Sequence, residues 1–207
     1  MYQHMNDINP IADILSSRGS ASVAEQHKQR DPASVLVPLF KQGDILKVLF
    51  TKRSNQMEHH KGQISFPGGA VDAQDQTLAD TALREAHEEI GLASDDVNIL
   101  GPLDYTVIEV NNFIVYPFVG VIPYPYNFII SRDEVSEILT VPFELFLDHN
   151  PIENEQTEEV RFFSSFGPVY QHDDNIIWGA TARIMQSLVD LLKGEALLPV
   201  DNRYLSL

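Results

Sequence analysis

Three glutamates, Glu85, Glu88 and Glu89, stand at positions i, i+3 and i+4 of a segment with helical periodicity, so their carboxylates crowd one patch of helix surface. Each like-charged pair there costs roughly a few tenths of a kcal/mol. Glu88 and Glu89 also fall in the last turn before Gly91, where the helix dipole disfavours a carboxylate by about 0.3 to 1 kcal/mol. A sequence shaped for helix stability alone would carry lysine there. Two readings follow: a solvated acidic face, or a patch whose charge is offset by a hard divalent cation, for which clustered carboxylate oxygens are the expected ligands. The upstream pair Gly68-Gly69 favours the second, because a glycine turn lets a backbone carbonyl approach the same patch.

The densest basic stretch, Lys52, Arg53, His59, His60 and Lys61, lies just before that glycine turn. In so acidic a chain a substrate phosphate is expected to be met here, the alternative being a solvated hairpin edge that uses lysine against aggregation. The proton acceptor is expected either at Glu88 or outside the helix, where Glu134, Glu137, Glu155, Glu158 and Glu159 are all candidates. His87 reads as a surface histidine. Tyr116, Tyr124, Tyr126 and Phe128 read as core aromatics, with stacking on a nucleobase as the alternative. Seven scattered histidines give no spacing for a Ser-His-Asp triad.

These residues need a scaffold. Leu78, Ala79, Ala82, Leu83, Ala86 and Ile90 form one apolar stripe and predict a helix opening at Thr77, a candidate N-cap with Asp80 three residues on, and closing at Gly91. Ser34 to Phe40 and Asp44 to Thr51 read as a hairpin about Lys41-Gln42-Gly43, and a third strand through Gln63 to Phe66 must stop at Pro67. Strands are expected over Val97 to Val110 and Phe113 to Ile122, turning at Asn111-Asn112. One or two short helices are expected over Asp133 to Leu147, β structure over 159 to 172, and a last amphipathic helix over Gly179 to Lys193. Residues 1–33 read as an N-terminal arm or helix and 34–207 as one domain.

Composition excludes several functions. With 14 Lys and Arg against 30 Asp and Glu, the formal charge of −16 argues against a nucleic-acid partner. The absence of cysteine removes disulfides, thiolate metal sites and a cysteine nucleophile. The longest apolar stretch, Phe113 to Ile130, is broken by Pro117, Pro123, Pro125 and Asn127, so no transmembrane helix or membrane partner is expected. The N-terminus lacks the basic start and apolar core of a secretory signal, and Ser206-Leu207 does not complete the peroxisomal S-K-L, so a cytoplasmic location is the expectation.

Arg84 to Leu92, REAHEEIGL, resembles the second half of the Nudix hydrolase box, R-E-U-x-E-E-x-G-U with U aliphatic, Ala86 being a small U. The first half departs from it: Gly69 to Arg84 is one residue longer than the common spacing, and the early Glu is missing, with Asp75 and Gln76 near its place. The longer form G-G-x-x-D-x-x-D-x-T, matched by Gly68, Gly69, Asp72, Asp75 and Thr77, is similar to the coenzyme A diphosphatase branch. So are Leu49-Phe50-Thr51-Lys52-Arg53-Ser54 and His60-Lys61-Gly62-Gln63-Ile64-Ser65-Phe66-Pro67, and, less diagnostically, Ile177 to Arg183.

The resemblance implies an α/β architecture, an α+β sandwich with a mixed β-sheet packed between helices. It also implies metal-dependent cleavage of coenzyme A to 3′,5′-ADP and 4′-phosphopantetheine. Mg²⁺ or Mn²⁺ is then expected on Glu85 and Glu89, with Glu88 a further ligand or the water-orienting base and the Gly69 carbonyl an extra donor. Arg84, Gly68 and Gly91 take structural places in the box, Arg84 holding carboxylates or forming an ordinary i, i+4 pair. Lys52, Arg53, His60 and Lys61 are the substrate-binding candidates. Competing readings are a Nudix enzyme for ADP-ribose, a dinucleotide or a nucleoside triphosphate, a nucleotide sensor without turnover, and a structural calcium site. The oligomeric state is left open, a homodimer being one option.

Overall fold

The computed structural model describes residues 8–19, 27, 29–56, 61–109, 112–147 and 158–194. Its centre is an eight-stranded mixed sheet. Strand β1 (Asp31–Gln42) turns through Gly43-Asp44 into β2 (Ile45–Arg53), and the two pair antiparallel with Gln42 opposite Ile45. β3 (Ile64–Ser65) pairs with β2, and β4 (Gly68–Ala70) pairs with β1. On the other flank, β5 (Asn98–Pro102) and β6 (Thr106–Ile108) pair antiparallel with β7 (Phe113–Val121), which runs parallel to β1 over Asp31 to Leu39. β1 begins at Asp31, three residues before the boundary read at 34.

Successive β1 side chains point to opposite faces, so the sheet has two cores. Leu36 and Phe40 face helix α2 (Leu78–Ile90), whose Leu78, Ala82, Ala86 and Ile90 form the buried stripe. Val37 and Leu39 face the other side with Ile11 and Leu15 of α1 (Ile8–Ser16) and Met185, Leu188 and Val189 of α4 (Gly179–Lys193). The sheet is therefore packed between helices, as the resemblance implied. Among the described residues no helix is long and apolar enough to cross a membrane.

Two expected elements are corrected. Residues 133–147 form chiefly β8 (Val135–Pro142), and only the short 3₁₀ helix at Phe143–Phe146 that follows it is helical. β8 adds to the free edge of β2, where Val135, Ile138, Thr140 and Val141 find ladder partners, and that long-range pairing outweighs the helical leaning of Glu134 and Glu137. Residues 158–164 form helix α3 (Glu158–Ser164) where β structure was expected, Phe162 and Phe163 notwithstanding. Only the end of that span extends, as β9 (Tyr170–His172), paired with β10 (Asn175–Ile177).

Candidate active site

Helix α2 carries the acids and is held at both ends. Thr77 accepts from the Asp80 amide while Asp80 accepts from the Thr77 amide, a reciprocal box that satisfies two orphan donors. Gly91 closes the helix at φ 68°, and a Cβ there would lie 2.9 Å from that of Ile129. The loop beginning at Ile129 then supplies what the helix end lacks: the Ile129 amide donates to the Ile90 carbonyl and the Ser131 amide to the Glu89 carbonyl. Glu134 follows three residues after Ser131, near enough for its charge to act on Glu85 and Glu89. Its carbonyl accepts from the Ser54 amide at 2.8 Å, so the end of β2 holds it from the other side.

The acids divide along neighbouring ridges of α2. On one, Arg84 gathers its partners: Nε and Nη2 donate to the Asp75 carboxylate at 2.9 and 3.0 Å, Nη2 to the Ala70 carbonyl, and Nη1 to Glu85 and Glu88 at 2.8 and 3.0 Å. Asp75 also accepts from the Asp72 amide and the Thr81 hydroxyl, and its side chain is 3% exposed. With the Arg84 bonds the largest cause, its carboxyl is held down at about 2, and Arg84 is in turn raised above its usual value, chiefly by Asp75. A pocket of about 330 Å³ opens on this flank, lined by Gln74, Asp80, Leu83 and Ser94 beside the pair. Its Asp75 and Arg84 are already satisfied by each other and by their neighbours.

On the other ridge the opposite holds. Glu89 is 4% exposed, and its Oε2 is buried without a hydrogen-bond partner among the described residues. Burial is the main cause that pushes its carboxyl up to about 8; Arg53 and the Gly68 amide act against the rise, while Glu134 and Glu85 add to it. Glu85 is raised too, first by burial and then by Glu88 and Glu134, with Arg84 opposing. Gly69 lies flat against Glu85: a Cβ at that position would stand 2.5 and 2.6 Å from its two carboxylate oxygens. An orphaned buried carboxylate oxygen, a second carboxylate beside a bare backbone and a third acid whose charge acts on both suit a hard divalent cation. Among the described residues no three His, Asp or Glu side chains are close enough to hold a metal between them. The two helix acids therefore need backbone or solvent oxygens to complete a shell.

The other candidates fall elsewhere. Glu88 is exposed and paired to Arg84. Lys52 donates to Asn175 Oδ1 at 3.0 Å and stands opposite Glu137 in the β2–β8 ladder. Lys61 is exposed, and His59, His60 and Glu155 lie outside the described residues, as does the side chain of Glu159. Glu158 is exposed at the start of α3, and His87 is exposed on α2. Of the aromatics, Tyr116 is buried, Tyr124 stacks on Phe40, and Tyr126 packs on Phe128 while its hydroxyl bonds Asp96. Asp75 as the anchor of Arg84 was missed; its signal was its place in the G-G-x-x-D-x-x-D spacing.

Comparison with known proteins agrees with this picture. The family model described as NUDIX domain matches residues 30–165. The protein named Uncharacterized Nudix hydrolase NudL from Enterobacter sp. (strain 638) is 37% identical over 77% of this chain and 81% of its own length. Its namesake from Pectobacterium atrosepticum is 34% identical over 81% of this chain and 85% of its own. Among solved structures, a NUDIX hydrolase from Alicyclobacillus acidocaldarius aligns with TM-score 0.53 at 19% identity, covering 77% of this chain and 91% of that one.

Proposed function

The chain belongs to the NUDIX domain family, and on that premise we propose that it hydrolyses the diphosphate bond of coenzyme A or a derivative, giving 3′,5′-ADP and 4′-phosphopantetheine. The observation that carries the reading is the partnerless Glu89 oxygen, buried beside Glu85 and Glu134 and against the Gly68-Gly69 backbone. The choice of coenzyme A is supported by the Leu49-to-Ser54 and His60-to-Gly69 elements, which resemble that branch. A cytoplasmic location is part of the same reading.

Mg²⁺ or Mn²⁺, held by Glu85 and Glu89 with the Gly69 carbonyl, would screen the diphosphate and take up charge on the leaving oxygen. Arg53, whose charge already acts on Glu89, meets a phosphate at the same place. Glu134 takes the proton from the attacking water: its charge reaches Glu85 and Glu89, and it stands on a loop fixed at Ser54 and at the end of α2. Arg84, bonded to Glu85 and Glu88, orients carboxylates and leaves the substrate to Arg53.

The test is product analysis after incubation with coenzyme A, ADP-ribose and NADH in Mg²⁺ or Mn²⁺, beside Glu89→Gln. Release of 3′,5′-ADP from coenzyme A, lost in the variant, is the expected result. Preferred turnover of ADP-ribose or NADH would keep the hydrolase and overturn the substrate, and no turnover of any would favour a nucleotide sensor.

A further inference from the structure

Among the described residues, two exposed rings outside the acidic site belong to one cluster. Phe162 is 59% and Phe166 37% exposed, whereas Phe40, Phe50, Phe66, Phe143 and Phe146 are at most 3% exposed. The two exposed rings join Phe163 and Trp178 in one cluster: Phe163 stacks on Trp178 with centroids 4.3 Å apart and planes 22° from parallel, Phe162 stands edge-on to Phe163 at 5.7 Å and to Phe166 at 5.1 Å, and Phe166 is tilted against Trp178 at 5.7 Å. Arg183 holds the cluster in place, donating to the carbonyls of Phe166 at 3.2 Å and Val107 at 3.3 Å. Among the described residues no carboxylate pairs with Arg183, and its Nε is buried without a hydrogen-bond partner.

The cluster is tied to strands β3 and β2, which lead to the acidic site. Thr181, three residues past Trp178, donates to the Ile64 carbonyl at 3.0 Å, and Lys52, next to Arg53, is bonded to Asn175 on the hairpin leading to Trp178. From Ile64 the chain turns at Pro67 into β4, where the Gly68 amide bonds Glu89 and Gly69 lies against Glu85. The other aromatics that could take a base are engaged: Tyr126 by Asp96 and Phe128, Tyr124 by Phe40.

We propose that the Phe162, Phe163, Phe166 and Trp178 cluster is a stacking subsite for the purine base of the substrate, with Arg183 as its cationic border. This rests on the nucleotide reading of the acidic site. Every base has a π-face, and stacking on an aromatic side chain is worth about 1 to 3 kcal/mol per base.

Trp178 is the only tryptophan in the chain, so its emission reports on the subsite without any turnover. The experiment titrates the full chain with 3′,5′-ADP and, separately, with ribose 5-phosphate, following that emission in wild type, Phe162→Ser and Phe163→Leu. Saturable quenching by 3′,5′-ADP alone is expected, with affinity falling about 5- to 100-fold in Phe163→Leu and less in the exposed Phe162→Ser. In turnover assays these variants should raise KM more than they lower kcat. Absence of quenching, or unchanged affinity in both variants, overturns the subsite. So does a loss of dimer in Phe162→Ser by sedimentation with affinity intact, which would make the rings an interface between copies. Quenching by 3′,5′-ADP without turnover of coenzyme A keeps the subsite and removes the substrate assignment, while turnover without quenching does the reverse.

Discussion

The two ridges of α2 differ in how they treat a buried acid. Asp75 receives donors from Asp72, Thr81 and Arg84 and is held at about 2, whereas Glu89, almost as buried, keeps an oxygen with no donor and is pushed to about 8. The helix thus borders one carboxylate, on the loop before it, whose bonding is completed by the fold, and carries another whose bonding is left for something outside it. Burial alone does not separate a structural acid from a reactive one; the supply of donors does.

Replacing the unsatisfied acid breaks the comparison most sharply. Glu89→Gln should lower kcat by about 10²- to 10³-fold, while the metal-free protein, relieved of a buried carboxylate, should melt higher than wild type at pH 8; a parallel loss of activity and melting temperature would instead make Glu89 structural. On the satisfied side, Asp75→Ala should cost about 2 to 3 kcal/mol, lowering Tm by roughly 5 to 10 °C. Activity should fall by only about 10- to 100-fold, because the Arg84 scaffold acts through Glu85 and Glu88.

The two acids also predict opposite pH behaviour. Glu89 in the metal-free fold holds a proton up to about 8 that the unfolded chain releases near 4.5, so stability should fall as pH rises across that window, by at most about 1.4 kcal/mol per unit. Asp75 contributes stability that is complete above its ordinary value of 3.8 and is lost as pH falls through about 2. Urea midpoints with chelator at pH 5 and pH 8 check the first, and Glu89→Gln should flatten the difference. The smallest effect belongs to the cap remote from either acid: Thr77→Ala should cost about 1 kcal/mol, with kcat unchanged in a direct assay.

Much of this was legible in the residues because it is local. The α2 stripe, Thr77 and Gly91 are signals within one helix, and the REAHEE spacing puts three acids on one patch whatever the rest of the chain does. What was not legible depends on distant pairing. Residues 135–142 become a strand only because β2 offers an open edge, and the start of that pairing fixes Glu134 by placing its carbonyl on the Ser54 amide. The cluster around Trp178 was hidden in the same way, since Phe162 and Phe163 read locally as strand residues and meet Trp178 only in the folded chain.

The parallel pairing of β1 with β7 has a kinetic consequence. Asp31 to Leu39 must find Phe113 to Val121 across helix α2 and the five strands between them, a slow, entropically costly closure. β4 and the Gly68-Gly69 backbone pair with β1, so the acids take their surroundings from the sheet that this closure completes. A ligand recognised by them therefore has little to grip in the folding transition state, and should lengthen the lifetime of the native protein by slowing its unfolding and leave its rate of formation nearly untouched.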